Sequence, residues 1–143
     1  MTDIFKDLIG CTILKAYASG SNLVLSTTQF FDDETNQTLS IEPAWRIRQN
    51  NQLFAGSDEL QYAEESSGEL AIFENKIKQL EGQTIEAIIL GDDCQDLSVR
   101  LQNHLKVESF ACHHDEYAWQ YSNAQGQKRY WATANIIDEQ DFD

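Results

Sequence analysis

Residues 6–13, KDLIGCTI, and residues 78–85, KQLEGQTI, carry Lys, Leu, Gly, Thr and Ile at matching places, five identities in eight. In a chain of 143 residues, two copies of one local instruction call for two copies of one local structure, and the rest must fit that frame. After the first copy, LKAYASGSNLVLSTT holds two short apolar-rich stretches punctuated by Gly20, Ser21 and Asn22, the pattern of a β-hairpin. After the second, EAIILGDDCQDLSVRL does the same around Gly91, Asp92 and Asp93. Farther on, Leu39 and Ile41 answer Leu105 and Val107, Ala44 and Trp45 answer Ala118 and Trp119, and QNN and NAQG each supply a turn. The second copy is longer before its Trp. Insertions of that kind fall in loops, where added length costs little free energy.

The shared L-x-G-x-T-I is structural punctuation: Leu anchors the last turn of a helix, Gly takes the left-handed conformation, and Thr-Ile begins a strand. Upstream of the second copy, SSGELAIFENKIKQLEG reads as the clearest helix. Ser66 or Ser67 can cap it, Glu69 suits its first turn, Lys76 and Lys78 its last, and Gly82 closes it. Leu70, Phe73, Ile77 and Leu80 form one apolar stripe at helical spacing. By the same register Phe5 and Leu8 face inward from a shorter N-terminal helix, with Asp3 as cap and Gly10 as terminator. Alternation at Leu97, Val99 and Leu101, and at Leu39 and Ile41, predicts half-buried antiparallel strands, with Pro43 at an edge or bulge.

The expected fold is therefore α+β. One domain, 1–143, holds two pseudo-repeats at about 3–57 and 66–134, each a short helix plus an antiparallel β-meander with the helices packed on sheet. A pseudo-two-fold relates them, and an acidic tail occupies 135–143. Disorder is expected nowhere outside that tail.

Twenty-four acidic residues against ten basic ones give a net charge of −14. Nucleic acid and anionic membranes attract proteins chiefly through Lys and Arg, so neither is an expected partner, and a basic macromolecule is. Plain solubility is the competing explanation of the charge. No run is long and apolar enough to span a bilayer, and MTDIFKDLIG lacks the basic and apolar regions of a signal peptide. Cys11, Cys94 and Cys112 are odd in number and widely spaced, which argues against a disulfide framework and for the reducing cytoplasm. Buried packing is the default for all three.

Little else reads as chemistry. ACHHDEY, 111–117, groups potential metal ligands, but consecutive residues on a strand point to opposite faces, so no metal site is expected and the stretch reads as a polar loop. His104 sits in a turn between two strands. The carboxylate clusters Asp32, Asp33 and Glu34; Asp58 and Glu59; Glu64 and Glu65; Asp92, Asp93 and Asp96; and the tail match no calcium loop. Phosphate-binding and hydrolase-elbow motifs are absent from the chain. Neither catalysis nor a cofactor is expected. Trp45 and Trp119, at equivalent places, read as core, which leaves Trp131, beside Arg129 and Tyr130, as the aromatic suited to anchor a partner.

The series L-x-G-x-T-I, L-x-V-x-L, L-x-V, Y-A-W and G in the second half, echoed in the first, resembles small duplicated bacterial α+β domains of unknown function. In size and acidity the chain is similar to bacterial immunity proteins, which neutralise toxins delivered between competing cells. That likeness implies a non-enzymatic cytoplasmic protein that covers a basic toxin, such as a nuclease, with an acidic surface. Its expected contacts are Asp32, Asp33, Glu34, Asp92, Asp93 and Asp96, joined by Asp115, Glu116 and Trp131. The alternative is a small-molecule or peptide-sensing module with its pocket between the two repeats. Two pseudo-equivalent halves leave a homodimer open.

Overall fold

The computed structural model describes residues 2–28, 36–59, 67–91, 96–110, 118–123, 128–133 and 136–141. A 3₁₀ turn at Thr2–Phe5 precedes strands β1 Lys15–Ser19, β2 Asn22–Ser26, β3 Gln37–Ile41, β4 Trp45–Gln49 and β5 Gln52–Gly56. Helix α1, Ser67–Lys78, leads into β6 Ile85–Leu90, β7 Leu97–Leu101, β8 Leu105–Ser109, β9 Trp119–Asn123, β10 Lys128–Thr133 and β11 Ile136–Asp141. Every pairing is antiparallel. The expected hairpins around Gly20 and around Gly91 are present as β1–β2 and β6–β7. Gly20 has φ +60°, which a residue without Cβ adopts freely.

Neither half closes a meander on itself, contrary to the expectation from sequence. One sheet runs β1-β2-β3-β9-β10-β11 and the other β5-β4-β8-β7-β6, so each takes strands from both halves of the chain. The chain changes sheets between β3 and β4 and again between β8 and β9. Periodicity tells which face of a strand is buried, not which neighbour it chooses, so this exchange had no signal in the alternation. Pro43 lies exposed in the β3–β4 crossover, outside any strand, rather than at an edge or bulge.

The two Thr-Ile segments meet each other. Thr12 and Thr84 form an antiparallel bridge. Gly10 N donates to Ile85 O at 2.8 Å and Gly82 N to Ile13 O at 2.7 Å; Ile85 N donates to Cys11 O and Ile13 N to Gln83 O, each at 2.9 Å. Gly10 and Gly82 both have φ +86°, the left-handed value their motif calls for.

Inward-facing side chains of both sheets join Phe5, Leu8, Phe73, Ile77 and Leu80 in one buried cluster. Helix α1 lies against β1 and β5, and just past its end a Glu81 carboxylate oxygen accepts from Ala16 N at 3.0 Å. Trp45 and Trp119 are buried, as expected. Trp45 stacks obliquely on Phe73, with centroids 6.1 Å apart, and Trp119 on Phe5 at 5.2 Å. The acidic tail is not a loose appendage. Residues 136–141 form β11, and Lys128 pairs with Glu139 at 2.7 Å and with Asp141.

Candidate functional site: a cationic row across one sheet

Strands β4, β7 and β8 alternate strictly. Ile47, Val99 and Val107 are fully buried on the inner face, which forces Arg46, Arg48, Ser98, Arg100, Lys106 and Glu108 onto the outer one. Register then aligns them. Arg48 lies opposite Lys106, and Lys106 opposite Arg100, giving three cations in one row across three neighbouring strands. The adjacent row reads Arg46, Glu108, Ser98.

Glu108 is the hub of this face. Its Oε1 accepts from Arg48 Nε at 2.8 Å and from Arg46 Nε at 3.0 Å, while Lys106 Nζ stands 3.6 Å from Oε2. Burial pushes its carboxyl up, but the hydrogen bonds from Arg46 and Arg48 and the nearby Lys106 and Arg46 charges outweigh that and hold it below the usual carboxylate range. The Arg46 guanidinium also lies 4.6 Å over the Phe110 ring. Arg100 makes no ion pair and no side-chain hydrogen bond among the described residues.

At the end of this row the β4–β5 and β7–β8 turns come together around a cleft of about 370 Å³, lined by Arg48, Arg100 and Lys106 with Asn50, Asn103 and His104. Asn50 N donates to His104 O at 3.1 Å, tying one turn to the other. Both turns have two consecutive left-handed residues, Asn50 and Asn51 at φ 52° and 66°, Asn103 and His104 at 60° and 61°. A second cleft, of about 600 Å³, adjoins the first through Asn103 and Leu105 and runs beneath α1 past Phe54, Ile72 and Gln79. Asn103 Nδ2 donates to Gln83 Oε1 at 2.9 Å where the two clefts meet.

Of the residues singled out from sequence as partner contacts, Asp96 and Trp131 are described. Asp96 is exposed just before β7, its carbonyl accepting from Gly91 N at 2.8 Å. Trp131 is half-buried in β10, opposite Gln120 and Asp138, in the other sheet. Asp32, Asp33, Glu34, Asp92, Asp93, Asp115 and Glu116 lie outside the described residues, as does the ACHHDEY stretch. Cys11 departs from the expected buried packing. It is half-exposed, its Sγ–H donates to Asp7 O at 3.1 Å, and burial followed by the Asp7 charge pushes its thiol up. His104 is in the turn expected for it, but its place on a cationic cleft was missed. The signal is in WRIRQ, LSVRL and LKVES, basic residues alternating with apolar ones, a local reversal of the overall −14.

Among the described residues no helix is long and apolar enough to cross a membrane. No protein-family model, no curated protein and no solved structure matches the chain.

Proposed function

We propose that this chain is a non-enzymatic cytoplasmic binding protein of the immunity type, which neutralises a basic protein such as a nuclease toxin through an acidic surface. Charge segregation supports it. Four of the ten basic residues share one sheet face and its cleft with Glu108 and Glu86, which leaves six basic against twenty-two acidic residues, a net −16, for the rest of the molecule. A nuclease must present positive charge to a phosphate backbone, and an acidic inhibitor can cover that charge and associate quickly by electrostatic steering. Asp32, Asp33, Glu34, Asp92, Asp93, Asp96, Asp115 and Glu116, with Trp131 as an aromatic anchor, are the proposed contacts.

The proposal includes a duplication with exchanged strands, 3–57 and 66–134, in which β1–β5 correspond to β6–β10 and the last two strands of each copy complete the sheet of the other. Its support is the matching strand order of the two sheets, the reciprocal hydrogen bonds of the Thr-Ile segments and the equal φ of Gly10 and Gly82.

A pull-down from lysate of the native organism at low and moderate salt, with bound proteins identified by mass spectrometry, tests the function. One basic protein retained at moderate salt is the expected result, and charge reversal at Asp32, Asp33, Asp92 and Asp93 should slow its association. Only heterogeneous, salt-labile capture would count against it.

The two adjoining clefts favour a second function, a small-molecule or peptide-sensing module. Arg48, Asn50 and Phe54 come from the first half of the chain, and Ile72, Arg100 and His104 from the second. A ligand-dependent rise in melting temperature is its mark.

A further inference from the structure

We infer that the cleft at the Arg48–Lys106–Arg100 row binds a small molecule carrying two or more negative charges, held through phosphate or carboxylate groups; this rests on the second function just proposed and names its ligand class.

Like charges directly opposite one another on neighbouring strands destabilise a sheet. The row sets Arg48 against Lys106 and Lys106 against Arg100, in a protein with only ten basic residues to distribute. Among the described residues the one carboxylate paired with the row, Glu108, is already shared between Arg48, Lys106 and Arg46. Glu108 is not among the residues that line the cleft, whose described lining holds three cations, Arg48, Arg100 and Lys106, and one carboxylate, Glu86. Arg100 keeps its planar fork of donors unused among the described residues, and that fork matches phosphate and carboxylate oxygens in pairs.

The turns at the cleft supply a second, independent observation. β4–β5 is a two-residue turn, and β7–β8 a three-residue connection, Gln102–His104, whose last two residues are the centre of a turn closed by Leu105 N donating to Gln102 O at 3.3 Å. Hairpin turns with both central residues left-handed favour Asn-Gly. Here the second residue is Asn51 in one turn and His104 in the other, so each keeps a side chain where glycine would relieve the backbone. Both residues line the same cleft. Backbone conformations that cost free energy collect at binding sites, and amide and imidazole N–H groups are donors to anionic oxygens.

Size and long-range charge limit the ligand. A cleft of about 370 Å³ suits a small molecule, not a nucleic-acid strand. A nucleic-acid strand extending beyond the row would meet the −16 of the remaining molecule, whereas a small anion stays within about 8 Å, the screening length of physiological salt.

The test is isothermal titration calorimetry and thermal unfolding of the full chain with inorganic pyrophosphate and with citrate, at ionic strength held constant by sodium chloride. Saturable binding of either probe is expected, with amide shifts in NMR spectra at Asn50, Asn51, Asn103 and His104. Pyrophosphate alone marks a phosphate ligand and citrate alone a carboxylate ligand; either supports the inference. Arg100→Ala should weaken binding about tenfold or more and Arg100→Lys by less, while Lys78→Ala, on the exposed side of α1, should change nothing. Without ligand, Arg100→Ala should melt at or above the wild-type temperature, since it relieves repulsion in the row. Failure of both probes to bind above the chloride control overturns the inference, as does binding that Arg100→Ala leaves intact. If a neutral fragment library shifts the same amides while both anions do not, the pocket stands and its anionic ligand falls; if nothing shifts them, both fall.

Discussion

Alanine at Gly10, Gly82 and Gly68 isolates the backbone cost of the paired motif. A Cβ built at any of the three meets no atom within 4 Å, so sterics against the rest of the protein are equal and absent. The difference is conformation. Gly10 and Gly82 have φ +86°, where an L-residue costs about 1–2 kcal/mol. Alanine recovers about 0.4–1 kcal/mol by restricting the unfolded chain, leaving a net loss near 1 kcal/mol at each site. Gly68 is within α1, and there alanine gains up to about 1 kcal/mol. Urea unfolding at constant slope should therefore place Gly10→Ala and Gly82→Ala below the wild type by similar amounts and Gly68→Ala above it. In thermal unfolding each loss corresponds to about 2–4 °C. Gly10→Ala and Gly82→Ala that are neutral, or that differ by more than about 0.5 kcal/mol, would refute the claim that the two motifs do the same work at the same point of the fold.

Three further perturbations test the packing and the cationic face. Glu108 has its carboxyl held low in the folded state, so its stabilising effect is complete above the ordinary Glu range, near pH 4.3, and is lost as pH falls through the lower folded value. Glu108→Gln should thus destabilise at pH 7 and converge with the wild type in acid, as followed by urea midpoints across pH; a gap independent of pH would remove the linkage. Tyr121 is fully buried and its hydroxyl has no hydrogen-bond partner among the described residues. Tyr121→Phe should consequently leave stability unchanged or raise it by up to about 1 kcal/mol, and a loss of that size in calorimetry would mean the hydroxyl is satisfied. Trp45→Ala and Trp119→Ala should each cost about 3–5 kcal/mol in chemical unfolding, since each indole is buried against an aromatic ring of a helical segment; a cost under 1 kcal/mol at either would contradict its burial.

Local features were readable in the sequence because local physics makes them. Gly10 and Gly82 end their turns left-handed, Phe73, Ile77 and Leu80 face inward, and Leu97, Val99 and Leu101 alternate into the core. Pairing across the hairpins at Gly20 and Gly91 was readable too, but pairing between distant strands was not. Ile41 pairs with Trp119 and Trp45 with Ser109, choices made by long-range register that no window of sequence contains. The cationic row suffered the same fate. Arg48, Lys106 and Arg100 are dispersed in the sequence and become one surface only when β4, β8 and β7 lie side by side. Net charge is a property of the whole chain and concealed a local reversal of sign.

The pairing of early with late strands has a consequence for the protein as it is synthesised. β3 is complete at Ile41, yet β9, its neighbour in the finished sheet, begins at Trp119. At translation rates of about 5–20 residues per second, the ribosome delivers that neighbour roughly 4–16 s later. For those seconds the nascent β3 carries unpaired backbone groups along one edge, and the free strands β4 and β5 compete for it in the emerging chain. A ribosome-associated chaperone that shields extended, apolar-alternating segments would find its target in residues 37–56, and slower elongation between those residues and Trp119 should lengthen the time for which that target is open.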